Sequence, residues 1–249
     1  MYRVEIILLS FLLPVVSVGQ NPPPKPLPPR TTSPTTTVTV TADVPKDELE
    51  KERRVDEALK KGRDAYAAQR YQEALPYFLS AVQLAERLRE NKSRYLEQGL
   101  KYVGDCYREL HRYQEAETAY IRRSEVQKDW PGTLDGSYAA NFLYLAVVQM
   151  LQQNWEKAEE YCSKSIATYE QAIQHFKRSD EYDESDIVAN DDRREESEVL
   201  YYLAIIYANE GKDEKALATR EKGYTLGEKF HATPESLLSR MRTLGRLIK

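Results

Sequence analysis

Three regimes of apolar and polar patterning divide this chain. Ile6–Val18 is a continuous apolar run interrupted only by Ser10, Pro14 and Ser17. Residues 20–44 carry no periodic apolar pattern. From Pro45 onward, apolar residues recur at helical spacing among many Glu, Lys, Arg, Ala, Leu and Tyr residues, and proline nearly vanishes. This last regime predicts helices and no strands. Near its end, Thr233-Pro234-Glu235 supplies a hydroxyl N-cap, a proline at the first helical position and an acid in the first turn. Leu237, Leu238, Met241, Leu244 and Leu247 follow along one face, predicting a capping helix over 233–248.

The first run is too short to span a bilayer, which needs about 20 apolar residues. It ends in the small residues of Ser17-Val18-Gly19, and residues 1–19 are expected to be a cleaved secretory signal. The protein is then expected to be exported, to a periplasm or to the outside of the cell, with no membrane span after cleavage. Residues 20–45 are expected to be a Pro/Thr-rich linker. Its Asn21–Arg30 stretch reads NPPPKPLPPR, and such sequence favours extended polyproline II rather than a packed core.

The helical regime, 46–249, repeats itself. RYQEA stands at Arg70–Ala74 and recurs, letter for letter, 42 residues later at Arg112–Ala116. NWEKA at Asn154–Ala158 follows after the same interval, and KDEKA ends at Ala216 after an interval of 58. Four hairpins are predicted, at about 55–91, 97–130, 139–175 and 197–231, with an acidic insertion at 179–196 between the last two. The helices are expected to run about 16–19 residues. Pro76 should bend the second helix of the first hairpin.

These residues resemble the tetratricopeptide repeat family, in its 42-residue kinesin-light-chain variety. Gly62, Tyr71, Ala74, Phe78 and Ala81 carry the pattern in the first hairpin. Gly104, Tyr107, Tyr113, Ala116 and Tyr120 carry it in the second, which departs at Arg123 where a small residue is usual. Ala146, Trp155, Ala158, Cys162 and Ser165 carry it in the third. The fourth is weaker: Ala204, Tyr207, Ala216 and Gly223 fit, while Asp213 and Arg220 replace aromatics. The resemblance implies an all-α, right-handed superhelical solenoid of about four hairpins, each burying its apolar face only against its neighbours.

The resemblance also implies an inner face lined by the first helix of each hairpin. Mapped onto this chain, it comprises Leu59, Lys60, Arg63 and Tyr66; Lys101, Tyr102, Asp105 and Arg108; Leu143, Tyr144, Val147 and Met150; and Tyr201, Tyr202 and Ile205. Tyr102, Tyr144 and Tyr202 hold equivalent positions and are expected to form a ladder. Arg63, Lys101 and Arg108 are expected to anchor one end of a protein or peptide partner. Repeats that clamp a chaperone's C-terminal carboxylate place lysine and asparagine where this chain has Leu59 and Arg63, so that partner is not expected.

Charge and chemistry narrow the picture further. A formal net charge of −4 and the lack of a basic stripe argue against a nucleic-acid partner. The three histidines, His111, His175 and His231, stand in no metal motif, and no nucleophile–base pair or phosphate loop is present. No cofactor, metal or catalytic residue is expected. Cys106 and Cys162 fall at non-equivalent repeat positions and are expected to be buried free thiols. The acidic insertion lacks the alternation and central glycine of a calcium loop. It reads as a solvated loop leading into a helix, with Asp191 or Asp192 as N-cap. The expected role is a non-catalytic scaffold or adaptor. A structural part of a cell-envelope assembly and a solute- or glycan-binding module are the alternatives.

Overall fold

The computed structural model describes residues 46–89, 91–128, 136–177 and 187–230. The expected signal peptide, the linker and the capping helix at 233–248 lie outside these residues, as do His231 and residues 179–186 of the acidic insertion. The described residues form eight α-helices: α1 (Lys46–Ala67), α2 (Tyr71–Ala85), α3 (Lys92–Glu109), α4 (Tyr113–Lys128), α5 (Gly136–Leu151), α6 (Trp155–Lys177), α7 (Ile187–Asn209) and α8 (Asp213–Lys229). They pair as four hairpins, α1/α2 to α7/α8, and each hairpin packs on the next through α2–α3, α4–α5 and α6–α7. The fold is the all-α repeat array that the 42-residue period predicts. None of these helices is long and apolar enough to cross a membrane.

One backbone device, used four times, makes the hairpins. Gln69, His111, Gln153 and Gly211 hold the same repeat position, and all four have left-handed φ, from 57° to 77°. The next residue's N–H reaches back five residues each time: Arg70 to the Ala65 carbonyl, Arg112 to Tyr107, Asn154 to Gln149 and Lys212 to Tyr207, at 2.8–2.9 Å. This double-bonded helix end satisfies carbonyls that would otherwise be orphaned and turns the chain sharply into the second helix. Only the fourth turn uses glycine, the residue to which this conformation is least costly.

Close approach within a hairpin also follows the repeat. A Cβ on Gly62 would lie 2.6 Å from the Phe78 ring, and one on Gly104 would lie 2.5 Å from the Tyr120 ring. The absent methyl is what admits a full aromatic ring. The third hairpin reverses the sizes, with Ala146 and Cys162 at the equivalent positions, both fully buried. Val55, Leu59, Phe78, Leu100 and Cys106 share one core across the first two hairpins, and Leu143, Met150, Cys162 and Ile206 share another across the last two. Each such side chain contributes about 1.5–3 kcal/mol of burial.

Two details differ from expectation. The insertion lengthens the helices that flank it: α6 and α7 each have 23 residues, against 15–18 in α2–α5. Asp191 and Asp192 therefore lie inside α7, past its first turn, and neither caps it. Asp191 instead pairs with Arg194 one turn on. Pro76, expected to bend α2, sits in the second turn of that helix with its side chain exposed, and the helix continues through it to Ala85.

The chain's exposed apolar residues are also ordered by the repeat. Leu217 and Tyr224 on α8 are about half exposed. Their equivalents in the first hairpin, Leu75 and Val82, are buried. Val82 lies against Gly99 of the following hairpin, which is what α8 lacks among the described residues.

Candidate binding face

Helices α1, α3 and α5 bring together the aromatic part of the expected inner face. Tyr66 meets Tyr102 edge-on with ring centroids 5.8 Å apart, and Tyr71 edge-on at 5.1 Å. Tyr102 stacks flat on Phe78 of the preceding hairpin, 4.6 Å away with planes 5° apart. One repeat on, Tyr144 stacks on Tyr120 at 5.4 Å. The 42-residue period thus pairs Phe78 with Tyr102 and Tyr120 with Tyr144. Tyr102 and Tyr144 are each backed by a ring from the hairpin before, which fixes their planes. The Lys101 ammonium bridges the two stacks, 4.7 Å from the Tyr102 ring and 5.5 Å from the Tyr144 ring.

The hydroxyls of this set differ from those of the buried tyrosines. Tyr95 donates to Asp56, Tyr120 to Asp105, Tyr169 to Glu195 and Tyr207 to Glu159. Tyr66, Tyr102 and Tyr144 are half-buried, and their hydroxyls have no hydrogen-bond partner among the described residues. Their rings are held by the protein and their polar tips are available, a combination that suits recognition. Burial raises the Tyr66 and Tyr144 hydroxyls above the ordinary phenol range, so both keep their protons at neutral pH.

Beneath the rings lies a charged cluster. Asp105 is 3% exposed. It accepts from the Tyr120 hydroxyl at 2.6 Å and from Lys101 at 2.8 Å, with Arg108 3.4 Å away. Burial opposes its ionisation, but Arg108, Lys101 and the Tyr120 hydrogen bond outweigh burial and hold the carboxyl below its usual value. Arg108 also pairs with Glu109 at 2.9 Å. In the adjoining packing layer, Arg123 binds Glu97 through its Nε at 2.8 Å and Asn141 at 3.0 Å, and lies 5.6 Å from the Tyr144 ring. Asn141 in turn donates to the Tyr120 carbonyl at 2.8 Å. This network explains the unusual Arg123: the space that Ala81 fills in the first hairpin is here taken by an ion pair.

The geometry corrects much of the expected face. Asp105, Val147, Met150, Tyr202 and Ile205 are buried, as are Leu59 and Leu143, and they offer a partner no area. Tyr202 points its hydroxyl at Glu198 rather than extending the ladder. Tyr201 leans on α8, where it lies close to Gly223. The cause is legible in composition: Phe142–Met150 on α5 and Val199–Ala208 on α7 are apolar nearly all round, and such helices are enclosed on several sides. Lys101 and Arg108 are already neutralised by Asp105 and Glu109, whereas Arg63 makes no ion pair among the described residues. The face that remains is Arg63, Tyr66, Lys101, Tyr102, Arg108 and Tyr144.

Neither cysteine belongs to this face. Both are free and buried, and burial raises both thiols, Cys106 to about 12, so they are protonated and unreactive. Among the described residues, no cluster of three His, Cys, Asp or Glu side chains is placed to hold a metal ion.

Residues 54–129 match the family model of the tetratricopeptide repeat. No curated protein matches the chain. Among solved structures, it is similar to BtubC (BKLC) from P. vanneervenii, at 14% identity and a TM-score of 0.40, covering 75% of this chain and 91% of that one. It is similar to the Rap conjugation gene regulator of plasmid pLS20, solved with the Phr* peptide, at 13% identity and 0.43, covering 80% of this chain and 60% of that one. It is also similar to a kinesin light chain with nearly identical TPR-like repeats from Podosopora anserina, at 14% identity and 0.39, covering 72% and 98%.

Proposed function

We propose that this chain, a tetratricopeptide-repeat protein by its match over residues 54–129, is an interaction scaffold that captures a peptide segment of a partner on the tyrosine face of α1, α3 and α5. The observation that carries this reading is the contrast among tyrosines. The buried tyrosines have their hydroxyls bonded internally, while Tyr66, Tyr102 and Tyr144, half-buried and held ring against ring, keep their hydroxyls unpartnered among the described residues. A peptide laid along the face would pack on the rings and accept hydrogen bonds from the hydroxyls. Little conformational entropy is lost, because the rings are already fixed. The reading assigns no catalytic residue. The apolar run at 6–18 supports a working place outside the cytoplasm, which fractionation of the native cell would test.

A displayed peptide library panned against the wild-type chain and against Tyr66→Phe/Tyr102→Phe/Tyr144→Phe tests the face. The triple variant keeps every ring and removes only the hydroxyls. Peptides selected by the wild type should bind the variant at least tenfold more weakly, about 1.4 kcal/mol. If no selected peptide depends on the hydroxyls, the face is not the site.

A further inference from the structure

The tyrosine face has a chemical bias that the general reading does not use. What it offers is chiefly hydrogen-bond donors: the hydroxyls of Tyr66, Tyr102 and Tyr144, and the Lys101 ammonium, which uses one of its three N–H groups on Asp105. Arg63 and Arg108 add guanidinium donors, and the three tyrosine rings supply the apolar area. A polyproline II segment is the matching ligand. Proline has no N–H, so its backbone presents only carbonyl acceptors, and its ring packs on an aromatic face. The extended form exists before binding, so little ordering is required.

This chain carries such a segment. Residues 22–29 read PPPKPLPP, six prolines in eight positions. We propose that this stretch of the same chain occupies the tyrosine face in cis, as a built-in ligand that an external proline-rich peptide must displace. The proposal rests on the reading of the face as a peptide site and adds the ligand class and a competitor.

Dimensions allow it. Tyr66 and Tyr102 lie 5.8 Å apart, and Lys101 is 4.7 Å from Tyr102 and 5.5 Å from Tyr144. The three rings therefore fall within roughly 16 Å, the rise of about five polyproline residues. Tyr66 is near the far end of α1 from Lys46, roughly 30 Å along the helix. The stretch from Thr31 to Pro45 can reach about 50 Å when extended, more than that distance. A tether of this length holds the prolines at an effective concentration on the order of millimolar, enough for a weak site to be filled.

The test uses the full chain in two forms, wild type and one with Pro22, Pro23, Pro24, Pro26, Pro28 and Pro29 all replaced by alanine, and a labelled synthetic peptide of residues 20–31 as the probe. Circular dichroism first establishes that both chains are equally helical. The expected result is that the alanine chain binds the probe at least tenfold more tightly than the wild type, whose own segment competes. Adding Tyr66→Phe/Tyr102→Phe/Tyr144→Phe to the alanine chain should remove that gain. Equal binding by the two chains, no binding by the alanine chain, or binding indifferent to the tyrosine hydroxyls would each overturn the proposal. If the probe fails while library-selected peptides still require the hydroxyls, the built-in ligand is excluded and the peptide site stands.

Discussion

Arg123 and Glu97 form a buried ion pair at the repeat positions that hold the fully buried Ala81 and Val55 in the first hairpin. The third and fourth hairpins fill the same spot with polar contacts of another kind: Ser165 donates to the Ala139 carbonyl, and Ser197 to the Gly223 carbonyl, each at 2.8 Å. One packing position of the repeat thus has three chemical solutions. A buried pair gains little over an apolar pair of similar volume, but breaking it strands a charge. Arg123→Ala is therefore expected to destabilise by about 3 kcal/mol, leaving Glu97 unpaired. Arg123→Ala with Glu97→Val, which copies the first hairpin, is expected to recover most of that loss. Urea unfolding of the three proteins measures both, and a double variant no better than the single would show that the packing solutions are not interchangeable.

Asp105 gives the fold an acid-sensitive centre. Its carboxyl is held below the ordinary value in the folded state, so the unfolded chain binds that proton more readily. The stabilisation is fully present above about pH 5, where the unfolded carboxyl is ionised, and is lost as pH falls through the unfolded and then the lower folded value. Asp105→Asn should cost about 3 kcal/mol at pH 7, because Lys101 and Arg108 lose their shared partner. The difference from wild type should shrink below pH 4. Stability measured at pH 7, 5 and 3 checks the sign; a gap that widens on acidification would contradict it.

The left-handed turn residues predict gains. Gln153 has φ 61° in the turn that Gly211 makes with φ 77° in the fourth hairpin. A non-glycine residue there carries a backbone cost of about 1 kcal/mol. Gln153→Gly should therefore raise stability by up to about 1 kcal/mol, somewhat less the entropy that glycine adds to the unfolded chain. Thermal unfolding reads this out, and a loss of stability would mean that the Gln153 side chain contributes more than the strain.

The equivalence of Leu217 and Tyr224 with Leu75 and Val82 makes residues 233–248 the expected cover for α8. A chain ending at Phe230 should bind more of a hydrophobic dye and lose about 2 kcal/mol, the burial of one to two apolar side chains. Leu217→Lys should cost the full chain stability and leave the shortened chain unaffected. Equal effects in both would remove that segment as the cover.

The all-α repeat fold was legible in the 42-residue period of the first three hairpins, because left-handed turns, small residues and rings are local demands that each repeat must meet at the same position. The character of the inner face was less legible. Transferring positions such as Tyr66, Tyr102, Val147 and Ile205 between hairpins assumes equal exposure, and α5 and α7 are enclosed where α1 and α3 are not. The partners of Arg123 and Lys101 lie on a neighbouring helix or a turn away, and a linear sequence lists the charges without saying which are already paired. Phe78–Tyr102 and Tyr120–Tyr144 were within reach: both pairs are separated by 24 residues, and that common offset is the signal of a stack repeated along the array.

The unpartnered hydroxyls of Tyr66, Tyr102 and Tyr144 make up the proposed ligand face. Ring-labelled tyrosine NMR of the alanine-substituted full chain, titrated with the residue 20–31 peptide, tests it most directly. Signals of these three tyrosines should move together and saturate, while those of Tyr95, Tyr169 and Tyr207, whose hydroxyls are bonded internally, should stay in place. Movement of the second set without the first, or of neither, would contradict it.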